Sequence, residues 1–412
     1  MQQHRIVVIG AGYTGAIAAG RLAKRLRRED VAITLVNPEP DFVERVRMHQ
    51  LTAGQELTPR PFSEMFADTG VELKLAKVTK VDVDRKTVSV APVSGTQGAE
   101  ELAYDTLVYA LGSGWNAQGV PGTAEHAHEI ASRPGALRLR ERLAGLGAGE
   151  TVVVVGGGLT GLEAATEIAE ARPDLDVAIA ARGGLGDWLS PKGRGHVRQV
   201  FAALGITAHE QTAVTGVRAD HVTTADGTSI PAAVTLWTTG FAVHPIAEAT
   251  GLDVTDSGQI VVDRTMRSVS HPDVYAVGDA AMAMGPGDKP LRMSCATGTP
   301  MAWQAADAIA ARLTGGKIPK TPMRYFNQCI SLGRRNGLIQ YVTADDRAVK
   351  AALTGRFAAV YKELVCKGAA WGVAHPLLGM PARPRPVVRE PENIVTRPQT
   401  APTDETTVEA SA

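Results

Sequence analysis

The stretch IVVIGAGYTG, residues 6–15, decides the fold of this chain. It joins a short apolar run, typical of a buried parallel strand, to a glycine turn and then to a helix rich in Ala and Leu. Gly10 permits the tight turn, Gly12 lets the main chain approach a diphosphate, and Gly15 lets helix and strand pack closely. The free N–H groups at the helix N-terminus complete a predicted dinucleotide-binding βαβ unit.

The same pattern occurs a second time in VVVVGGGLTG, residues 152–161. Each copy continues into a segment typical of a β-meander, at residues 71–90 and 206–230, and then into a short apolar run that ends in glycine. Two copies of one pattern predict two related nucleotide-binding domains. The predicted contacts in the second copy are Gly156, Gly158, Leu159, Thr160 and Gly161.

The pattern predicts an α/β fold with two Rossmann-like domains and a small C-terminal α+β region. Residues 321–380 form the predicted C-terminal domain, which includes a helical pattern near residues 357–365. Residues 381–412 are rich in Pro, Thr and Glu, which predicts a disordered tail.

Composition excludes several classes of function. The formal net charge is zero, which gives no electrostatic support for a nucleic-acid partner. The three cysteines are far apart and form no CxxC pair, which argues against a disulfide framework. The chain has neither a recognisable signal peptide nor an apolar run near the roughly 18 residues of a spanning helix. We expect a cytoplasmic protein, at most peripheral at the inner face of the membrane.

The residue that ends the second strand of each unit is expected to contact the adenosine ribose. In the first unit this residue is Asn37, whose amide can bind a ribose or shape the turn before Pro38. In the second unit it is Ala181, followed by Arg182. The missing carboxylate and the adjacent guanidinium favour the 2′-phosphate of NADPH over NADH, although Arg182 as a solvated loop charge is the alternative.

Three further segments complete a family resemblance: YALG at 109–112, WTTG at 237–240 and YAVGD at 275–279. With the two glycine motifs, they resemble the two-dinucleotide-binding-domain flavoproteins related to glutathione reductase. Within these, the chain is most similar to the type II NADH dehydrogenase-like branch of FAD-dependent pyridine nucleotide oxidoreductases. The resemblance covers about residues 5–315, and it implies FAD in the first unit and NADPH or NADH in the second. It also implies that the second domain, residues 119–246, is inserted into the first, residues 1–118 and 247–320.

The resemblance also implies roles for single residues. Asp279 is expected at the ribityl and phosphate region of FAD, Gly112 and Gly240 where the domains meet, and Glu163 near the nicotinamide and the flavin. The predicted cofactor contacts outside the second glycine motif are Gly10, Gly12, Tyr13, Thr14, Gly15, Asn37, Arg45, Arg47, Val81, Ala110, Gly112, Arg182, Gly240, Gly278 and Asp279.

Two side chains are catalytic candidates beside Glu163. His49 lies in ERVRMHQL, residues 44–51, a loop that runs under the flavin ring in relatives; it is a candidate proton donor or a structural histidine. Cys295 lies in MSCAT, residues 293–297, where the quinone-reducing branch carries an Ala-Gln pair. It is a reactive thiol or a small core residue, and the departure leaves acceptors other than a quinone open.

The predicted function is hydride transfer from NAD(P)H through flavin to a quinone or another small organic acceptor. Reduction of an electron-carrier protein such as a ferredoxin is an alternative, which requires a basic docking patch; Arg45, Arg47 and Arg292 are candidates. A flavin-dependent tailoring oxidase and a non-catalytic redox sensor are further alternatives. The C-terminal helix near residues 357–365 is expected to touch a membrane, to pack internally, or to form a homodimer.

Overall fold

The structure of the chain is a computed structural model that describes residues 2–93, 98–379 and 383–388. The first part of the chain forms a βαβ unit followed by a β-meander. Its elements are β1 (His4–Ile9), α1 (Tyr13–Arg25), β2 (Val31–Asn37), α2 (Met48–Thr52), α3 (Phe62–Met65), β3 (Val71–Asp82), β4 (Thr87–Pro92), β5 (Glu100–Ala103), β6 (Thr106–Tyr109) and β7 (Ser113–Trp115).

The second part of the chain repeats the βαβ unit and adds a small antiparallel sheet. Its elements are α4 (Thr123–His126), β8 (Ala127–His128), α5 (Arg133–Ala144), β9 (Thr151–Val155), α6 (Leu159–Ala171), β10 (Asp176–Ala180), α7 (Pro191–Ala203), β11 (Thr207–His209), β12 (Val214–Val217), β13 (His221–Thr224), β14 (Ser229–Pro231), β15 (Val234–Trp237) and β16 (Phe241–Val243).

The third part returns to the first domain and ends in a small sheet and a long helix. Its elements are β17 (Ile260–Val261), β18 (Val274–Ala276), β19 (Ala281–Met282), α8 (Cys295–Leu313), β20 (Asn327–Ser331), β21 (Gly337–Val342), β22 (Ala348–Thr354) and α9 (Arg356–Ala374). The sequence predicts that α8 begins at Thr299; it begins four residues earlier and tolerates Pro300 within its second turn.

The sheet order shows how the domains are nested. The first sheet has the order β18-β6-β1-β2-β3-β4-β5, and the second, fully parallel sheet has the order β11-β10-β9-β15-β8. Strand β18 follows the whole second domain in sequence, yet it pairs in parallel with β6 of the first. The second domain is therefore an insertion into the first, as predicted, and the antiparallel pair β7–β16 links the two.

The apolar runs of β1 and β9 form the centres of the two domain cores. Residues 6–9 and 152–155 are buried throughout, because helices cover both faces of a parallel sheet. Helix α8 packs along α1 on one face of the first sheet. A buried ion pair between Arg21 and Asp307 joins these two helices at 2.7 Å.

Part of the predicted disordered tail is attached to the first domain. The N–H of Arg385 donates to the carbonyl of Arg25 at 2.9 Å, and the N–H of Val388 donates to the carbonyl of Leu313 at 2.8 Å. Main-chain hydrogen bonds therefore hold residues 383–388 against the first domain, in a segment whose composition favours disorder. The rest of the predicted tail, 381–382 and 389–412, lies outside the described residues.

We predict that Gly15→Ala destabilises the first domain, whereas Gly12→Ala does not. A Cβ on Gly15 would lie 1.8 Å from the carbonyl oxygen of Gly10, whereas one on Gly12 would have no heavy atom within 4 Å. Overpacking of this kind costs about 1–3 kcal/mol or more. Urea unfolding of both variants measures the difference, and equal stabilities would contradict this account of the turn.

Candidate active site

The first glycine turn forms an open cradle at the N-terminus of α1. A Cβ on Gly10 would meet the carbonyl oxygen of Ala110 at 2.4 Å, so this turn requires glycine, which also has a positive φ of 90°. Gly12 caps α1 without a side-chain hydrogen bond and faces open space. Unpaired helix N–H groups beside open space suit a diphosphate. Tyr13 and Thr14 begin the helix that carries them.

The second glycine turn has the same geometry at the N-terminus of α6. A Cβ on Gly161 would lie 1.8 Å from the carbonyl oxygen of Gly156, while Gly158 has open space around it. Gly158 also caps its helix without a side-chain bond. Leu159 and Thr160 form the first helical residues. The chain thus presents two separate cradles, each at the carboxyl edge of a parallel sheet.

The predicted ribose residues lie beside the two cradles. Asn37 is the last residue of β2, and its Oδ1 accepts a hydrogen bond of 3.0 Å from the main-chain N–H of Ala11. This bond connects the strand end to the first glycine turn. Beyond β10, Ala181 is buried and Arg182 is exposed. Within the described part of the chain, Arg182 has no hydrogen-bond or ion-pair partner, so its guanidinium is available for an anion.

The predicted second FAD motif closes the first cradle from the side. Gly278 has a positive φ of 72°, and a Cβ there would meet the side chain of Thr14 at 2.9 Å. Asp279 accepts a hydrogen bond from the hydroxyl of Ser113 at 2.6 Å, and Arg45 lies 3.7 Å from the same carboxylate. Ser113 is a polar residue of this group that the sequence did not indicate.

The remaining predicted contacts differ in what they offer. Gly112 lies beside Arg45, and Gly240 lies against the side chain of Gln118, near the strands that join the domains. Val81 is a core residue of β3, 1% exposed, so its side chain is not available and only its main chain is left for a cofactor contact.

A buried charged cluster lies between the second domain and the C-terminal helix. The carboxylate of Glu163, in α6, accepts a hydrogen bond of 2.9 Å from the ammonium of Lys362, in α9. It accepts another, of 3.0 Å, from the main-chain N–H of Ser331. Nδ1 of His49 lies 4.0 Å from the other oxygen of the same carboxylate. The structure thus brings together two predicted catalytic candidates, Glu163 and His49, with a lysine that was not predicted.

Burial and pairing set the charges of this cluster. Burial raises the pKa of Glu163, but Lys362, His49 and the Ser331 N–H outweigh burial and leave that pKa below its usual value. Burial lowers the pKa of Lys362, but Glu163 outweighs it and the net pKa is raised. Burial chiefly lowers the pKa of His49 to about 4. At neutral pH the cluster holds a carboxylate, an ammonium and a neutral imidazole.

Arg47, a predicted cofactor contact, is bound by carboxylates of the protein itself. Its guanidinium donates two hydrogen bonds of 2.9 Å to Glu363 of α9 and one of 3.0 Å to Glu44. The guanidinium is buried, and these two carboxylates accept three of its hydrogen bonds. Arg47 therefore fastens the C-terminal helix to the first domain.

Cys295 lies at the start of α8, and its environment does not favour a reactive thiol. Burial raises its pKa, although Lys362 acts in the opposite direction. The thiol therefore stays protonated at neutral pH, and the thiolate is the nucleophilic form. This favours the reading of Cys295 as a packing residue.

Lys362 is the member of the charged cluster that the sequence did not indicate. The buried face of α9 contains Ala358, Cys366, Ala370 and Val373. Lys362 lies four residues from both Ala358 and Cys366, so helical spacing places it on that face. This spacing was readable in the sequence, but its carboxylate partner lies 199 positions earlier and was not.

Two cradles, a free guanidinium at the second and a buried charged cluster between the domains define a class of protein: a redox enzyme that holds two dinucleotides. The open space at Gly12 and Gly158 fits FAD at the first cradle and NAD(P)H at the second. Metal centres are not indicated, since the described residues contain no group of three or more metal-ligating side chains.

Comparison with known proteins identifies the family. The chain belongs to the pyridine nucleotide-disulphide oxidoreductase family, whose sequence profile matches residues 4–310. An NADH dehydrogenase-like protein of Mycobacterium tuberculosis is 30% identical over 322 residues, which cover 72% of this chain and 78% of that protein. A demethylphylloquinone reductase of Synechocystis is 27% identical over 379 residues, 87% of this chain and 92% of that protein.

The fold matches a solved structure over nearly its whole length. NDH2 from Plasmodium falciparum in complex with NADH has a TM-score of 0.76 at 14% sequence identity, covering 92% of this chain and 97% of that one. The predictions of the family, of the two Rossmann-like domains and of an oxidoreductase that uses FAD and NAD(P)H are confirmed. Among the described helices, none has the length and apolar content needed to cross a bilayer.

We predict that Lys362→Met lowers the free energy of unfolding by about 3–5 kcal/mol, because it leaves the Glu163 carboxylate buried without its ammonium. The double variant Lys362→Met, Glu163→Gln is expected to recover most of the loss. Chemical denaturation of four proteins, the wild type, Lys362→Met, Glu163→Gln and the double variant, gives the coupling energy of the pair.

Lys367→Met is the matched control. Lys367 lies on the same helix, its side chain is 66% exposed, and it pairs with Glu363 at the surface. We expect a change within about 0.5 kcal/mol. A loss at Lys362 no larger than that at Lys367 would show that the buried pair does not stabilise the fold.

Proposed function

We propose that the protein transfers hydride from NAD(P)H through FAD to a quinone or a closely related small organic acceptor. The observation that carries this proposal is the pair of dinucleotide cradles at the N-termini of α1 and α6, with Glu163 of the buried charged cluster on α6 itself. Relatives named as a demethylphylloquinone reductase and as type II NADH:quinone oxidoreductases support the quinone as acceptor.

The cofactor supplies the redox chemistry, and the chain supplies position and charge. FAD, when bound, provides a two-electron carrier between the nicotinamide and the second substrate. The N-termini of α1 and α6 bind the two diphosphates through their N–H groups. Asp279, oriented by Ser113, presents a carboxylate to hydroxyl groups of a ligand in the first cradle.

The charged cluster keeps proton-carrying groups in a region that excludes water. Glu163 is held ionised by Lys362, and the ammonium of Lys362 also donates to the carbonyl of Cys329 at 3.1 Å. A quinone that accepts two electrons must also gain two protons. We propose that the ammonium of Lys362 holds one such proton close to the acceptor, with the Glu163 carboxylate keeping that ammonium charged and α9 excluding bulk solvent.

We propose that the nicotinamide cofactor is NADPH. Arg182 is exposed and unpaired beside the buried Ala181, at the carboxyl end of β10. No carboxylate at this strand end repels a 2′-phosphate, and a guanidinium binds phosphate with two parallel hydrogen bonds. NADH remains the alternative if Arg182 acts only as a solvated charge.

Reduction of an electron-carrier protein is less well supported. Of the three arginines considered for a docking patch, Arg47 is buried against Glu363, and Arg292 is paired with Asp346 at 2.6 Å. Arg45 lies against Asp279 and over the ring of Phe241. Neutralised guanidinium groups give little attraction for an acidic carrier.

The outer face of α9 favours a peripheral contact with a membrane. Its exposed side chains include Phe357, Val360, Leu364 and Trp371, and Phe357 is 80% exposed. Apolar residues with helical spacing and flanking basic residues suit the interfacial layer of a bilayer. We propose this contact at the inner face of the membrane, with the protein otherwise cytoplasmic. Co-sedimentation with anionic liposomes tests it, and a homodimer through the same face is the competing outcome.

The function is tested by anaerobic reduction of the purified yellow protein with NADPH and with NADH, followed by oxidation with naphthoquinones and benzoquinones. We expect rapid bleaching by the nicotinamide and rapid recolouring by a quinone. A protein that is bleached but reacts with none of the quinones would rule out the proposed acceptor while leaving FAD and NAD(P)H in place.

Arg182→Ala is predicted to raise the KM for NADPH at least tenfold, about 1.4 kcal/mol, and to leave kcat and the KM for NADH nearly unchanged. The guanidinium is expected to hold a phosphate remote from the reacting atoms. Arg335→Ala, at an exposed arginine of the C-terminal domain, is the control. Equal effects of Arg182→Ala on both nucleotides would contradict the assignment.

A further inference from the structure

The loop that carries Arg182 begins in direct contact with the second glycine turn. The N–H of Gly156 donates to the carbonyl of Ala180 at 2.9 Å, and a Cβ on Gly157 would lie 2.7 Å from the Cβ of Ala181. Arg182 is the next residue and is exposed. The position of its guanidinium relative to the second cradle therefore depends on the path of the main chain after Ala181.

The main chain of this loop is restrained although two glycines follow Arg182. Glycine has the largest conformational freedom of any residue, so Gly183 and Gly184 alone would leave Arg182 free to take many orientations. Instead, residues 181–183 are hydrogen-bonded to residues 209–212 at the end of β11. These bonds join Ala181 to His209 (2.9 Å), Ala181 to Thr212 (2.8 Å) and Gly183 to Gln211 (3.2 Å).

The side chain of Glu210 adds a further restraint on the same loop. Its carboxylate accepts a hydrogen bond of 2.5 Å from the main-chain N–H of Leu185, 25 positions earlier in the sequence. It also accepts two hydrogen bonds, of 2.6 and 2.9 Å, from the guanidinium of Arg198 in α7. The guanidinium and the Leu185 N–H lower the pKa of Glu210, so this acceptor is ionised at neutral pH. Hydrogen bonds to an ionised acceptor are stronger than those between neutral groups.

We propose that Glu210, held by Arg198, is a positioning residue that sets the preference of this chain for NADPH. By binding Leu185 it limits the freedom of the two glycines and keeps the guanidinium of Arg182 where the 2′-phosphate binds. A site that is ordered before its ligand arrives loses less entropy on binding. The inference rests on the proposed use of NADPH and adds a residue that acts through Arg182.

The test measures equilibrium binding to the purified holoenzyme by isothermal titration calorimetry. The two probes are adenosine 2′,5′-bisphosphate and 5′-AMP, which differ only in the 2′-phosphate. The ratio of their Kd values therefore reports the contacts made to that phosphate. We expect Glu210→Ala to weaken binding of the bisphosphate about fivefold and to leave the Kd of 5′-AMP unchanged.

Glu210→Gln distinguishes the hydrogen bond to the loop from the charge of the carboxylate. Its side-chain carbonyl can still accept the N–H of Leu185. We expect this variant to recover most of the affinity for the bisphosphate that Glu210→Ala loses. Equal losses in the two variants would contradict the role of this hydrogen bond.

A double variant separates positioning of Arg182 from a general loss of structure. In the Arg182→Ala background, Glu210→Ala is expected to change the Kd of the bisphosphate less than twofold, because the guanidinium that it positions is absent. A loss of equal size in both backgrounds would show that Glu210 does not act through Arg182, and would overturn the proposal.

Asp174→Ala is the matched control. Asp174 precedes β10 at the opposite end from Arg182, and its carboxylate accepts hydrogen bonds of 2.8 and 2.7 Å from the guanidinium of Arg172. It therefore forms the same kind of pair on the same strand, away from the second cradle. We expect its removal to leave the ratio of the two Kd values unchanged.

The outcomes separate this inference from the proposed function. A wild type that binds both probes equally would refute the choice of NADPH and this inference with it. A wild type that prefers the bisphosphate, and keeps its full preference in Glu210→Ala, would overturn this inference alone. Neither probe carries a nicotinamide, so a failure to reduce any quinone counts only against the proposed acceptor.

Discussion

The architecture depends on one close approach, repeated in both nucleotide-binding units. At the third glycine of each motif, a Cβ would lie 1.8 Å from the carbonyl oxygen of the first glycine. Only a hydrogen fits there, so helix and strand come together in one geometry. This contact directs the N-termini of α1 and α6 at open space, and the neighbouring strand ends place Asn37 and Arg182 at the same edges.

The C-terminal helix completes the interior by pairing charges across the domains. Lys362 and Glu363 are adjacent in α9, yet they bind different domains. Lys362 pairs with Glu163 of the second domain, and Glu363 pairs with Arg47 of the first domain. Buried charges are tolerated when they are paired and hydrogen-bonded. The C-terminal helix is thereby held against both domains, and its exposed side chains include Phe357, Val360 and Leu364.

Burial and pairing decide the role of each polar residue more than its type does. Arg182 and Arg47 were both predicted cofactor contacts. Arg182 is exposed and has no partner among the described residues, whereas Arg47 is buried and pairs with two carboxylates. Cys295 was a candidate thiol, and burial keeps it protonated. Family membership shows an oxidoreductase that uses FAD and NAD(P)H, whereas the environment of a side chain such as His49 is created only by the fold.

The sequence by itself determined the two βαβ units and the two cradles, because glycine spacing and apolar runs act within about ten residues of each other. The nesting of one domain in the other followed from the family resemblance, since β18 and β6 pair across the whole second domain. Only the tertiary structure decided the partners of Glu163, the role of Arg47 and the attachment of residues 383–388. Those contacts join positions up to several hundred residues apart. No local pattern encodes such a pairing, since it forms only when packed elements bring the charges together and remove the water between them.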